Sequence, residues 1–387
     1  MAAAASSSKH VLVVGGAGFL GSAITKRLLA QGHTVTSMSP SGRAFLTPSG
    51  HRPAWSSSPS VRWEKADAFQ PETYKGFLTG ETRASTSSEK LPPVSAVVST
   101  IGVLLEGDYK GKDSSMSGTF RALARGWGLD KGNPLDEAKE GLYEKMNRDA
   151  ALSVARTWSS ILSSTPSESP TGPPSFIFIS AEDIFRPIID PRYISTKREA
   201  ERGLEEMSWH AAAASSPVRP TPSDAADVET PDADGAGLTE EINEGAQRRR
   251  GRYSAAQGAD ATRIFRPVFV RPGVMYHPHT RPISTIPAAL LDLSSAIHSY
   301  FPSKAPTPAN VLNSVLGQSP LARLLTLSPL HIDTVAKAVG AAVDDEGVWG
   351  VVNTRRIKRL AGFKESDLGH EVYREDERRA EGSGMYR

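Results

Sequence analysis

The feature that most restricts how this chain can fold lies at its start, within residues 10–38. Val11-Leu12-Val13-Val14 is continuously apolar, as a parallel strand buried on both faces must be. It runs directly into Gly15-Gly16-Ala17-Gly18-Phe19-Leu20-Gly21. Leu20, Ile24 and Leu28, with Ala23 beside them, then recur at the spacing of one helix face. Gly32 reads as the C′ residue that stops this helix, and residues 33–38 read as a second strand. Strand, glycine loop, helix and strand make a βαβ unit. The glycines divide the work: Gly15 for the tight turn, Gly18 for close approach of a pyrophosphate, Gly21 for close packing of helix on strand. The phosphates rest at the helix N-terminus, over Phe19 and Leu20, where unpaired N–H groups and the dipole favour negative charge. A plain glycine-rich turn is the alternative.

Composition removes other chemistries. The chain has no cysteine among its 387 residues, which excludes disulfides, thiolate-bound metals and thiol nucleophiles. Lys and Arg number 45 against 43 acidic residues, a balance that gives no electrostatic footprint for nucleic acid. No apolar run approaches membrane-spanning length, so the expectation is a soluble or peripheral protein. Residues 1–9 lack the apolar centre of a secretory signal and are short for a cleaved transit peptide. No acidic residue precedes Glu64, whereas Lys9, Lys26, Arg27, Arg43, Arg52 and Arg62 do. That bias suits mitochondrial import, and equally a first βαβ unit that favours neutral or basic residues.

The second strand leads into Ser39-Pro40-Ser41-Gly42-Arg43. A site for NAD usually places an acid here to bind the ribose 2′-hydroxyl. Ser39 and Arg43 instead suit a 2′-phosphate, so NADP(H) is favoured over NAD(H). Residues 61–67 read as the third strand, ending in Asp67-Ala68 beside the adenine. Residues 94–100 read as the fourth, whose end, with Thr100 and Gly102, lines the cofactor crevice. Residues 104–141 are polar and glycine-rich, as a lid, a docking loop or a poorly ordered excursion would be. Residues 142–160 carry Met146, Ala150, Val154 and Trp158 on one helix face, with Asn147 among them. Residues 175–180 form a fifth strand that ends in Ser180, and Asp190-Pro191 opens the next helix as N-cap and first-turn proline. Residues 211–262 are low in apolar side chains and read as a disordered insertion. Its arginine cluster, residues 248–252, is a solvated run or a contact for acidic headgroups or a protein. The last core strand ends in Arg271-Pro272-Gly273, where this fold turns beside the nicotinamide.

Chemistry concentrates on Tyr193 and Lys197, one helical turn apart and therefore on one face. A nearby ammonium and a positive helix end favour the phenolate and lower its pKa. Such a tyrosine can exchange a proton with a substrate oxygen while hydride moves at carbon. Ser180 would hydrogen-bond the same oxygen, and Lys197 would reach the nicotinamide ribose. The alternative is a retained cofactor-binding helix without turnover.

The order Gly-x-x-Gly-x-x-Gly, Asn147, Ser180, Tyr193-x-x-x-Lys197 resembles the extended and atypical short-chain dehydrogenase/reductases. Residues 11–32, 97–109, 143–158, 176–201 and 266–276 are together similar to the fungal mitochondrial members of the coenzyme Q biosynthesis complex. These in turn resemble the NADPH-binding accessory subunit of respiratory complex I. The resemblance implies an active-site asparagine at Asn147, a matrix-side location, peripheral inner-membrane association, other ubiquinone-synthesis proteins as partners and a quinone-precursor-like substrate. The complex I relative implies instead a structural subunit with bound nucleotide.

The expected architecture is α/β, a Rossmann-like doubly wound parallel sheet with a small C-terminal substrate lobe and low-complexity insertions. Residues 1–9 form a tail and 10–210 the core. Residues 263–354 hold the last core strand and the lobe, and 355–387 a charged tail.

Overall fold

The computed structural model describes residues 8–81, 91–104, 141–164, 172–184, 189–209, 263–278 and 327–364, with isolated residues at 291, 294, 295, 311, 324 and 325. All but the two end residues of the insertion expected at 104–141, the whole of that expected at 211–262, most of the lobe and the end of the tail lie outside them.

β1 (His10–Val14), α1 (Phe19–Ala30) and β2 (Thr34–Ser39) form the first unit. α1 ends in a Schellman motif: His33 N–H donates to Leu28 O at 3.1 Å and Gly32 N–H to Leu29 O at 3.0 Å, with Gly32 at φ 86°. β3 (Val61–Lys65), the short α2 (Lys75–Leu78) and β4 (Ala96–Ser99) follow. A π-helical segment, Glu144–Asp149, then runs into α3 (Ala150–Ser164). β5 (Ser175–Ile179) leads to α4 (Pro191–Met207), whose N-cap Asp190 accepts the Arg192 N–H at 2.8 Å. β6 (Arg266–Val270), β7 (Met275–Tyr276), β8 (Leu330–His331), α5 (Ile332–Asp344), β9 (Gly350–Val352) and α6 (Thr354–Leu360) complete the described elements.

Seven strands pair in the order β3-β2-β1-β4-β5-β6-β9, every pairing parallel. The order reverses between β1 and β4, which opens a crevice at their C-terminal ends. Alternate strand residues divide between the two faces. Val11, Val13, Val98, Ile177 and Val268 pack beneath α1 and α5. On the opposite face Trp158 of α3 meets Phe176 and Phe265, with ring centroids 6.2 and 6.0 Å away. Helices cover both faces, so the sheet is doubly wound.

α5 fastens the two ends of the chain. The Lys9 ammonium donates to Val343 O at 2.6 Å, and the Arg266 guanidinium donates to Ala342 O at 3.2 Å and Asp345 O at 3.0 Å. Cations at this end complement the helix dipole. Gln31 and His33 both bind Asp344, at 2.8 and 2.9 Å. Gly340 makes room, since a Cβ there would lie 2.2 Å from the Gln31 Oε1.

Two expectations change. Asn147 lies in a π-helical turn rather than a uniform helix. The first part of the charged tail is helix α6, capped by Asn353 and holding Ile357 and Lys358 buried. Residues 209–264 separate as a second unit, in which Trp209 and Arg263 form an antiparallel bridge with the guanidinium 4.0 Å over the indole ring.

Candidate nucleotide and active site

The glycine loop sits at the crevice. Gly15 has φ 86° and donates its N–H to Met38 O at 2.9 Å. A Cβ on Gly21 would lie 2.2 Å from Gly15 O and 2.8 Å from Gly16 Cα, so only glycine lets α1 come this close. Gly18 is different: exposed, extended at φ −76° and ψ 179°, with only Gly15 O (3.1 Å) near a Cβ. The space in front of it is open to a ligand. No side chain caps α1 and its first turn, with Phe19 and Leu20, holds no acid, so the positive end stays available to an anion. Gly16 escaped the sequence reading; a Cβ there would strike Ser37 Oγ at 2.3 Å and Thr25 Oγ1 at 3.0 Å. Thr100 Oγ1 donates to Val14 O at 2.8 Å and so joins the ends of β1 and β4 under the loop.

At the end of β2 the chain folds onto β3. Ser39 Oγ accepts the Gly42 N–H at 3.1 Å, and Ser41 Oγ accepts that of Arg43 at 3.3 Å. Gly42 has φ 65°, and a Cβ there would lie 2.8 Å from the Lys65 backbone N. Arg43 is exposed, and among the described residues its guanidinium has no hydrogen bond or ion pair. Lys65, which the sequence reading missed, is exposed beside the same turn. Asp67 is occupied locally, its Oδ1 accepting the Phe69 N–H at 3.0 Å, and Ala68 is buried.

Three residues converge past β4. Asn147 is fully buried; its Nδ2 donates to Val103 O at 3.0 Å and its Oδ1 accepts the Val103 N–H at 2.8 Å. Lys197 Nζ donates to Ile179 O at 2.9 Å and lies 4.7 Å from the Phe178 ring centroid. A Cβ on Gly102 would meet Lys197 Nζ at 2.7 Å and Asn147 Oδ1 at 2.9 Å. Burial pushes the Lys197 pKa down to about 7; Glu201 opposes that fall and Arg198 adds to it.

Tyr193 lies one turn before Lys197, buried in a cluster with Tyr143, Ala181, Ile189, Ile194 and Val103. Its ring meets Tyr143 edge-on at 6.2 Å, and Tyr143 Oη donates to Leu104 O at 3.1 Å. Arg192–Glu144 (2.8 Å) and Arg148–Glu199 (2.6 Å) pin α4 to the π-helical segment.

Ser180 is engaged elsewhere. Its Oγ accepts from Arg198 Nη1 at 2.9 Å, the same guanidinium nitrogen that donates to Glu201 Oε1 at 2.7 Å. Successive residues at a strand's end point to opposite sides, so the next residue, Ala181, faces the tyrosine cluster. Pro272 and Gly273 are buried just past the end of β6, where Pro272 O accepts the Glu182 N–H at 3.0 Å.

Residues 11–81, from β1 through the glycine loop to α2, match the profile of the NAD dependent epimerase/dehydratase family. Over 201 residues the chain is 32% identical to MIOREX complex component 2 of Saccharomyces cerevisiae, covering 51% of this chain and 67% of the yeast protein. The chain belongs to the atypical short-chain dehydrogenase/reductases. Solved structures overlay the chain loosely. A short-chain type dehydrogenase/reductase from Mycobacterium ulcerans gives a TM-score of 0.42 at 12% identity, covering 90% of both chains. Human epimerase family protein SDR39U1 with NADPH gives 0.34 at 16% identity, covering 89% of this chain and 73% of that one.

Proposed function

We propose that this short-chain dehydrogenase/reductase binds NADP(H) and carries out a hydride-transfer step in mitochondrial ubiquinone synthesis. The observation that carries the reading is the meeting of Lys197, Asn147 and Gly102 at the end of β4, one helical turn from Tyr193. The pyrophosphate rests on the open α1 N-terminus in front of Gly18, and Arg43 with Ser39 takes the 2′-phosphate. Thr100, Gly102, Pro272 and Gly273 line the crevice toward the nicotinamide, and Asp67 with Ala68 borders the adenine. A nicotinamide supplies or accepts the hydride when bound. Tyr193 exchanges the proton at the substrate oxygen, and Lys197 serves both the phenolate and the nicotinamide ribose. The apolar cluster around Tyr193 suits a ring with little charge, such as a quinone precursor. The yeast relative's name makes it a component of a complex. The same is proposed here, with other ubiquinone-synthesis proteins, on the matrix side and peripheral to the inner membrane. Among the described residues no helix is long and apolar enough to cross a membrane.

Ser180 favours a second reading. Its hydroxyl is committed to Arg198 while Ala181 sits beside Tyr193, so Ser180 is drawn away from the part of helper. A nucleotide-holding assembly subunit needs none. Tyr193→Phe separates the two, because it keeps the ring and its packing but removes the proton. Normal NADPH binding with loss of cellular ubiquinone supports the enzyme. Normal ubiquinone at normal protein abundance ends it in favour of the assembly role.

A further inference from the structure

Beyond Lys197, α4 carries a group of charges that belongs to neither the glycine loop nor the tyrosine cluster. Glu201 is only 6% exposed. It accepts from Arg198 Nη1 at 2.7 Å and from Arg271 Nε at 2.9 Å. Arg198 also donates to Ser180 Oγ at 2.9 Å and to Ala181 O at 2.8 Å. One carboxylate therefore ties the ends of β5 and β6 to α4. Buried charges are costly and gain stability only from close geometry, so such a cluster is weak evidence for a stabilising role alone.

Its position relative to Lys197 is what gives it meaning. The lysine is met from β4 by Ile101 O and Gly102, and from the π-helical segment by Asn147. From β5 it is met by the Phe178 ring and Ile179 O. None of these groups titrates. On α4, Glu201 stands one turn after Lys197 with both side chains buried, and Arg198 follows the lysine directly and donates to Glu201 Oε1 at 2.7 Å. The carboxylate therefore favours the ammonium and the guanidinium disfavours it; Arg271 lies beyond Glu201, and Glu182 and Asp183 act on Arg198 from the end of β5. Tyr193 lies one turn earlier on that helix, and Glu199 two positions on is turned to Arg148.

We infer that Glu201 and Arg198 are opposing positioning residues for Lys197, setting the charge it presents to an anionic dinucleotide without touching the nucleotide. This rests on the reading that Lys197 faces the nicotinamide ribose. Ser180 then has a role too: it anchors Arg198, and through it the balance.

The test uses the near-isosteric neutralisations Glu201→Gln and Arg198→Gln in the full chain. Affinity for NADP+ is measured by calorimetry from about pH 6 to about pH 9, beside 2′,5′-ADP, which lacks the nicotinamide ribose. In the parent protein, NADP+ affinity relative to 2′,5′-ADP falls as pH rises through the lysine's range. Glu201→Gln should move that fall to lower pH and Arg198→Gln to higher pH, each by about one unit or tenfold in affinity. The double variant should return near the parent, since the two displacements cancel. A merely structural cluster would weaken binding at every pH and move nothing. Shifts of the same sign, or none, overturn the inference. If Glu201→Gln does not fold, Arg198→Gln still decides, because the expected gain in affinity above neutral pH is opposite to damage. If NADP+ binds to no form, the proposed function fails. The inference is then judged by NMR titration of the lysine Cε resonances in the free protein, which reads the same opposed shifts.

Discussion

The glycines of the first loop make separable demands, and two substitutions test this. In Gly21→Ala the new methyl would sit 2.2 Å from Gly15 O, 2.8 Å from Gly16 Cα and 2.9 Å from Gly15 C, all of them backbone. No side chain can swing away, so α1 must move off β1, loosening Leu20, Ile24 and Leu28 over the sheet. Overpacking of this kind costs about 1–3 kcal/mol, and an obstacle made of backbone places it at about 3. For a domain of about 200 residues that lowers the melting temperature by roughly 6–12 °C. Gly18→Val makes the opposite demand. Its backbone is extended and its Cβ meets only Gly15 O at 3.1 Å, so the fold should melt within about 2 °C of the parent. The isopropyl group instead occupies the approach to the uncapped helix end and removes charge-assisted contacts of about 1.5–3 kcal/mol each, at least tenfold in affinity. Scanning calorimetry and NADPH titration on both variants provide the assay. The reasoning is refuted if Gly18→Val binds NADPH like the parent, or if Gly21→Ala melts like it.

Two more outcomes follow from the geometry. Arg43→Ala should lower NADPH affinity at least tenfold and leave NADH affinity unchanged; equal affinity of the unmodified protein for both cofactors would remove the 2′-phosphate site. Burial lowers the pKa of His10 and of His33, so the folded protein resists their protonation. Their contribution is complete above the unfolded value of about 6.5 and is lost as pH falls below it. Lys197 acts above about 7, where the unfolded chain holds a proton that the folded one releases, so stability climbs with pH there as well. Urea denaturation at three pH values checks this, and Lys197→Met should flatten the alkaline part only.

The βαβ unit was legible because its signals agree at every level: an apolar run, glycines at a fixed spacing, and a stop at Gly32. Asp190-Pro191 was equally plain, as a cap that acts within its own turn. Ser180 was not, because a sequence names the residue at a strand's end but not the side it faces. That side is settled by Arg198, 18 positions later. The π-helical turn that holds Asn147 was hidden for another reason. Met146, Ala150, Val154 and Trp158 keep a helical spacing, while the two bonds that hold Asn147 reach Val103, 44 positions earlier, and leave no mark in the local pattern. α6 was obscured by its arginines and lysine, which mask the single buried apolar residue Ile357. Lys65 owes its place beside Arg43 to the positive φ of Gly42, a long-range fit with no local mark.

The clasp at the end of α5 has a consequence for how the chain comes to be folded. Lys9 and Val343 are 334 positions apart, yet they share a hydrogen bond beside the first strand. Until residues 330–345 have been synthesised, α1 has nothing to close over its outer side, and the apolar face it shares with α5 stays open to water. Contacts this distant in sequence slow folding and lengthen the exposure of sticky surface. A fragment ending before α5 would retain every phosphate-loop glycine and still not be a usable nucleotide-binding domain. In the cell the amino-terminal half would have to be sheltered from aggregation until α5, residues 332–344 of 387, had emerged.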